Sequence, residues 1–150
     1  MLALAFAQVA DHVEVARRLW DSWEDDAEIR DVATGRFVDR DRLHYIDFEG
    51  SEYSVRGPSI TPRPPQGQPP VFVMAHQEDG YRLAGRSADV ALVTPADAAD
   101  AGRIAGLVRA AAVEAGRPAG SVRVLADLVV FLDEGANAAQ ARRERLDRSE

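Results

Sequence analysis

Most of the groups in this chain that could hold a ligand sit in one short run: Ala75, His76, Gln77, Glu78, Asp79 and Gly80. The run follows an apolar stretch, residues 71–74, and opens a segment with helical spacing. In parallel α/β folds, ligands sit beyond the carboxyl ends of the strands. Free N–H groups at a helix N-terminus, with the helix dipole behind them, form an anion site there. His76 and Gln77 would add side-chain donors. Glu78 and Asp79 compete with that reading, because their carboxylates satisfy the same dipole without any anion. Thr94, after the next apolar run, is a weaker candidate of the same kind and serves chiefly as a helix cap.

Other chemistries are excluded by composition. The chain has no cysteine, and all 18 of its basic residues are arginine. Thiol nucleophiles, disulfides and Cys-ligated metals are therefore ruled out. So are a lysine Schiff base and a Walker-A lysine. GxGxxG, GxSxG, HExxH and EF-hand patterns are absent. His12, His44 and His76 lie far apart without metal-ligand spacing, and the acidic stretch 24–28 shows none either, so no metal site is expected. A net charge of −7 and a pI near 5.0 disfavour nucleic acid and anionic membrane as partners. Arg142, Arg143, Arg145 and Arg148 are interspersed with acids and read as a solvated helix face. The first ten residues are apolar but lack the basic region of a signal peptide, and no apolar run approaches the roughly 20 residues of a membrane span. A cytoplasmic protein is expected.

The elements that must position the run can be read along the chain. A first helix is predicted over 8–23, where Val9, Val13, Ala16, Leu19, Trp20 and Trp23 recur at three and four residues. Both tryptophans read as core. Residues 33–42, polar around Gly35, read as a loop. Residues 44–48 and 53–55 read as short strands around Glu49-Gly50, a hairpin signal. Six of the eight prolines fall within 57–70, which forbids helix and central strand and leaves a linker or an extended approach to a strand.

The segment after residue 70 selects the extended approach. A strand is predicted over 71–74, a helix over 78–87 with Leu83 and Ala84 inward, and a strand over 90–93. Thr94-Pro95-Ala96-Asp97 reads as a helix start, with a Thr cap, Pro at the first helical position and an acid at the third. Ala101, Ile104, Ala105, Val108 and Ala112 form the inner face of that helix, and Gly116 and Pro118 end it. A long apolar strand is expected over 122–132 with Asp127 in its middle, then a helix from Gly135 to Glu150. Apolar strands alternating with amphipathic helices predict an α/β fold, a parallel sheet covered by helices.

Leu19-Trp20-Asp21-Ser22-Trp23-Glu24-Asp25-Asp26-Ala27 resembles a signature of the bacterial luciferase-like flavin monooxygenases, in the branch of the nitrilotriacetate and dibenzothiophene-sulfone monooxygenases. The stretch from Asp47 to Gly57, followed by Pro58 and by Pro64-Pro65-Gln66-Gly67-Gln68-Pro69, is similar to the same branch's approach to a barrel strand. The run 71–80 and the Leu83-Ala84-Gly85-Arg86 helix continue the likeness, which covers about residues 12–132. The resemblance implies part of a (β/α)8 TIM barrel, from the helix after strand four through the helix after strand seven. Residues 1–24 would be that helix, 25–70 a hairpin and loop insertion with the proline-rich approach, and 71–150 a βαβαβα unit. It implies reduced FMN supplied by a separate flavin reductase, molecular oxygen, and insertion of one oxygen atom into a small organic substrate. A deazaflavin relative shares the fold. In the family the loop after this strand helps hold the FMN phosphate, often through Ser or Thr hydroxyls. Carried over, the cofactor positions are Ala75, His76, Gln77 and Gly80, which lack those hydroxyls and bring two acids. The resemblance names no catalytic residue here, because the family's catalytic groups belong mainly to earlier strands. It gives residues 25–56 a place at the substrate mouth.

A complete barrel takes about 250 residues, against 150 here. With strands one to four and eight missing, strand edges and one apolar wall would be open. Three readings are compatible with this: a piece of a monooxygenase active only as part of a full barrel, a truncated non-catalytic remnant, or a small α/β interaction module. The last would form a homo-oligomer that buries the strands at Val71, Val90 and Val122.

Overall fold

The computed structural model describes residues 2–148. Met1 and the expected end of the last helix at Ser149 and Glu150 lie outside them. The elements are helix α1 (Leu2–Trp20), strands β1 (Glu28–Asp31) and β2 (Arg36–Val38), a 3-10 turn (Arg40–Arg42), and strands β3 (Phe48–Glu49) and β4 (Ser54–Val55). They continue with β5 (Phe72–Ala75), α2 (Glu78–Ser87), β6 (Val90–Val93), α3 (Ala98–Glu114), β7 (Arg123–Ala126) and α4 (Ala136–Asp147). No helix among the described residues is long and apolar enough to cross a membrane.

The alternation of apolar strand and amphipathic helix after residue 70 produces the expected parallel sheet, in the order β5-β6-β7. One row of it runs Val73–Ala91–Val124 and the next but one Ala75–Val93–Ala126. Val73, Ala75, Ala91, Val93 and Val124 join Tyr81 and Ala84 of α2 and Ile104, Val108 and Ala112 of α3 in one core. Small residues let the helices approach. A Cβ on Gly85 would lie 2.6 Å from the Ala111 Cβ and 3.0 Å from the Ala112 nitrogen, so glycine is needed where α2 crosses α3. Gly116, at φ +74°, ends α3, and the Arg117 amide returns to the Ala112 carbonyl at 2.9 Å.

The opposite face of the sheet is uncovered. Phe72, Met74 and Leu125 are 55%, 65% and 48% exposed, although the continuous apolar strands predict burial on both faces. The third strand is also shorter than its apolar run. It ends at Ala126, and Leu128, Val129, Val130 and Leu132 follow exposed and outside regular structure. β-propensity makes those residues look like strand, but a strand needs a paired neighbour and the ladder with β6 stops at Val93.

The N-terminal third differs from expectation in detail. α1 starts at Leu2, not at residue 8, and stops at Trp20. Trp23 is therefore core but not helical. It bridges to Leu43, and its Nε1 donates to the Ser59 carbonyl at 2.8 Å. The buried Ser22 hydroxyl donates to the Leu19 carbonyl and accepts from the Ser59 amide, pinning the chain where the helix ends. Residues 33–42, expected as loop, contain β2, which pairs antiparallel with β1 through a turn held by Asp31 and Gly35 (φ +68°). None of its strand residues is fully buried, and its sequence has no apolar alternation to betray it. The hairpin around Glu49-Gly50 forms as β3 and β4, shorter than predicted.

One carboxylate ties the halves together. Asp89 Oδ2 accepts from Arg17 Nη2 of α1 and from the Val71 amide, both at 2.8 Å. The Asp89 backbone donates to the Val71 carbonyl and accepts from the Arg123 amide, each at 2.9 Å. Arg17 also reaches Gln68 Oε1 at 2.7 Å. Arg117 donates to the Gly85 and Ala88 carbonyls at 2.7 and 2.8 Å and so caps α2. Burial pulls the Arg117 guanidinium below its ordinary pKa, with Asp89 opposing and Arg17 reinforcing the shift.

Asp89→Ala is expected to lower stability by about 1–3 kcal/mol, because it leaves the Val71 amide without its acceptor and the half-buried Arg17 guanidinium without its carboxylate partner. Removing the solvated Arg18–Glu14 pair by Glu14→Ala should cost under about 1 kcal/mol. Urea unfolding of the two variants side by side checks the ranking; equal midpoints would refute it. Gly85→Ala should also destabilise, by about 1–3 kcal/mol, as the added methyl overpacks the α2–α3 crossing. A gain in its urea midpoint, the result helix propensity alone predicts, would contradict that packing.

Candidate strand-end anion site

Parallel register places three residues in a row just past the sheet. Ala75, Val93 and Ala126 are in register at the strand ends, so His76, Thr94 and Asp127 follow side by side. Asp127, expected mid-strand, is instead the first residue beyond β7, with its amide donating to the Val93 carbonyl at 2.8 Å. The only sequence signal for its place is an acid interrupting an apolar run.

Each of the four cofactor positions has a definite setting. Ala75 is the buried last residue of β5. Gly80 is buried in the first turn of α2, where a Cβ would come within 3.2 Å of the Ala75 Cβ, so glycine lets the helix start close over the strand end. His76 and Gln77 are exposed. Gln77 is the N-cap of α2 in extended conformation, and its side chain makes no capping hydrogen bond. His76 Nδ1 lies 3.0 Å from Thr94 Oγ1, which joins the two loops.

The competing acids are distributed unequally. The Glu78 carboxylate accepts from Arg82 Nη2 at 2.8 Å one turn along α2, and this pairing raises the Arg82 pKa. Asp79 is solvated. The N-cap position of α2 belongs to Gln77 and carries no side-chain capping bond, with both acids in the first turn behind it.

The start of α3 is the opposite case and corrects an expectation. Asp97, not Thr94, is the N-cap: its Oδ1 accepts from the Asp100 amide at 2.8 Å. Asp100 in turn accepts from the Ala96 amide at 3.1 Å and pairs with Arg103, which together lower its pKa. Asp97 thus caps the first turn while Asp100 turns back to the residue before the N-cap, and Thr94 is left to face His76.

The segment 25–70, expected as an insertion, lies away from these strand ends. It leaves α1 near Arg17 and returns at Gln68, and both residues bond at the Asp89 cluster at the N-terminal ends of the strands. Its β3–β4 hairpin lies along α1, with the Tyr53 ring 4.9 Å from that of His12. Two polar cavities border the same end, one of about 340 Å³ lined by Arg17, Arg86, Asp89 and Arg117, and one of about 410 Å³ lined by Asp21, His44, Tyr45 and Gln68. No group of three or more His, Asp or Glu able to hold a metal ion occurs among the described residues.

Comparison with known proteins agrees with this architecture. A family model described as luciferase-like monooxygenase matches residues 2–149. Nitrilotriacetate monooxygenase component A of Aminobacter aminovorans is 33% identical over 139 residues, covering 93% of this chain and 31% of that protein. N-acetyl-S-(2-succino)cysteine monooxygenase of Bacillus subtilis (strain 168) is 41% identical over 87 residues, 58% of this chain and 20% of that protein. Among solved structures, a riboflavin lyase with modified FMN and its substrate riboflavin superposes with a TM-score of 0.79 at 31% identity, over 95% of this chain and 32% of the other. The chain thus spans a third or less of the length of these relatives. With residues 2–149 matched by the family model, nearly its whole length, the chain belongs to the luciferase-like monooxygenase family.

Proposed function

We propose that the chain is a segment of a cytoplasmic flavin-dependent monooxygenase, and that Ala75, His76, Gln77 and Gly80 contribute to holding the phosphate of reduced FMN. In this reading β5, β6 and β7 are strands five to seven of a (β/α)8 barrel, α1 is the helix after strand four, and residues 25–70 are an insertion before strand five. The observation that carries the reading is the contrast between neighbouring helix starts. α2 opens over a parallel strand end with no side-chain cap, while α3 at the next strand is capped by its own acids. Phosphate needs several donors at one place, and the α2 amides, His76 and Gln77 supply them, with Glu78 engaged by Arg82. The FMN named for the similar riboflavin lyase structure supports the choice of ligand.

When bound, the flavin supplies the redox chemistry toward oxygen and a small organic substrate, and a separate flavin reductase delivers it reduced. The four strand-end residues bind and orient its phosphate end. The exposed Phe72, Met74 and Leu125 face is the wall that the remaining strands of a barrel cover. Alone, the chain is expected to self-associate through it.

FMN and riboflavin titrations of residues 1–150, followed by flavin fluorescence, test the site. FMN should bind about tenfold or more tightly than riboflavin, since charge-assisted hydrogen bonds to phosphate are worth roughly 1.5–3 kcal/mol. Gln77→Glu, which sets a carboxylate against the phosphate, should abolish that preference. A well-folded protein that binds neither flavin would sink the site assignment for this segment. Light scattering gives the companion result: Met74→Asp should shift the chain toward monomer, and an unchanged mass would remove the exposed sheet face as the contact.

A further inference from the structure

We propose that Thr94 is a positioning residue for His76: its hydroxyl donates to Nδ1, leaves the ring proton on Nε2, and so makes the imidazole a hydrogen-bond donor to the flavin phosphate. The ligand half of this rests on the FMN reading, and the pair itself rests on geometry. His76 and Thr94 are the first residues past β5 and β6, whose ends are locked in register at Ala75 and Val93. Their side chains meet with Nδ1 and Oγ1 3.0 Å apart.

A neutral imidazole has one N–H and one bare nitrogen, and the hydrogen bond at one ring nitrogen decides the role of the other. If Nδ1 kept the proton and donated to Thr94, Nε2 would present a lone pair and repel a phosphate oxygen. With Thr94 donating, Nε2–H faces outward as a donor. The Thr94 hydroxyl is available for this because Asp97 has taken over the capping of α3. The β-branch of threonine restricts its χ1, which fixes the direction of the hydroxyl better than serine would. The pair also explains how a ring on an exposed loop is held without packing: it is tied to the neighbouring strand end and not to its own helix.

Two measurements on residues 1–150 decide the proposal. The first is the His76 side-chain tautomer from two-bond proton–nitrogen couplings. The wild type should show Nε2–H as its sole tautomer; Thr94→Val should fall back to the mixture of both tautomers of a solvated imidazole, Thr94→Ser should keep the wild-type state, and a wild type no more biased than Thr94→Val overturns the proposal. An Nδ1–H tautomer in the wild type overturns the proposal whatever the flavin results. The second is the flavin titration repeated on these variants. Thr94→Val should weaken FMN about 3- to 10-fold and leave riboflavin unchanged, with Thr94→Ser within about twofold of wild type. If wild type binds FMN and Thr94→Val binds it equally, the positioning role falls while the phosphate site stands. If the wild type binds no FMN, the flavin reading fails, the phosphate half of the proposal falls with it, and the tautomer alone judges the pair. Thr94 is exposed, so unchanged urea midpoints for both variants are expected to exclude unfolding as the cause.

Discussion

The position of every element around the strand-end site depends on the Asp89 carboxylate and the arginine it holds. Two segments distant in sequence, α1 through Arg17 and the strand start at Val71, meet on one oxygen. The same residue's backbone bridges to β5 and β7. A carboxylate can do this because it accepts several charge-assisted bonds at once. With α1, β5, β6 and β7 indexed at their N-terminal ends, the sheet register carries the alignment four residues along to Ala75 and Val93. In this kind of fold the N-terminal face serves stability and the C-terminal face serves chemistry. The two ends differ in their groups: paired guanidiniums and a carboxylate at one, and at the other an imidazole and a hydroxyl together with the exposed carboxylates of Glu78, Asp79 and Asp127.

The two helix starts show how little sequence separates a closed end from an open one. α3 begins with Asp97 and Asp100 at the spacing that lets each carboxylate reach a free amide. α2 begins with Gln77, whose side chain does not turn back, and with Glu78, whose carboxylate engages Arg82 instead. Gly80 then permits the open end to press on Ala75. The first turn of α2 thus carries two carboxylates but no side-chain N-cap bond, and that of α3 has one. The segment 25–70 fits the same division between the two ends. Its two feet stand at the Asp89 end, so it buttresses α1 and leaves the strand ends free.

The sheet has one finished face. α2 and α3 bury the row of Val73, Ala91 and Val124, while Phe72, Met74 and Leu125 on the other side meet solvent. The chain spans a third or less of the length of these relatives. The strand composition is that of a two-sided burial, and the family relationship supplies the reason for it.

The alternation of short apolar strands with amphipathic helices after the proline run is legible directly, and with it the parallel sheet, α2 over Glu78–Ser87 and β6 residue for residue. Local rules suffice there, because periodicity and strand length are properties of neighbouring residues. The site run 75–80 is legible too, since it is defined by the junction of a strand and a helix. What local rules miss depends on partners far along the chain. Trp23 leaves the helix because Ser59 and Leu43 receive it. The strand at 123 stops at Ala126 because β6 has no more backbone to pair with. The cap of α3 moves from Thr94 to Asp97, since an aspartate at that position reaches the Asp100 amide and the threonine hydroxyl meets His76 instead. Sequence alone determined which residues have ligand-holding chemistry and which fold class carries them. Only the tertiary structure decided which of them meet, because a hydrogen bond across two strand ends is set by the register of the sheet, and register follows from pairing between residues that are not neighbours in the chain.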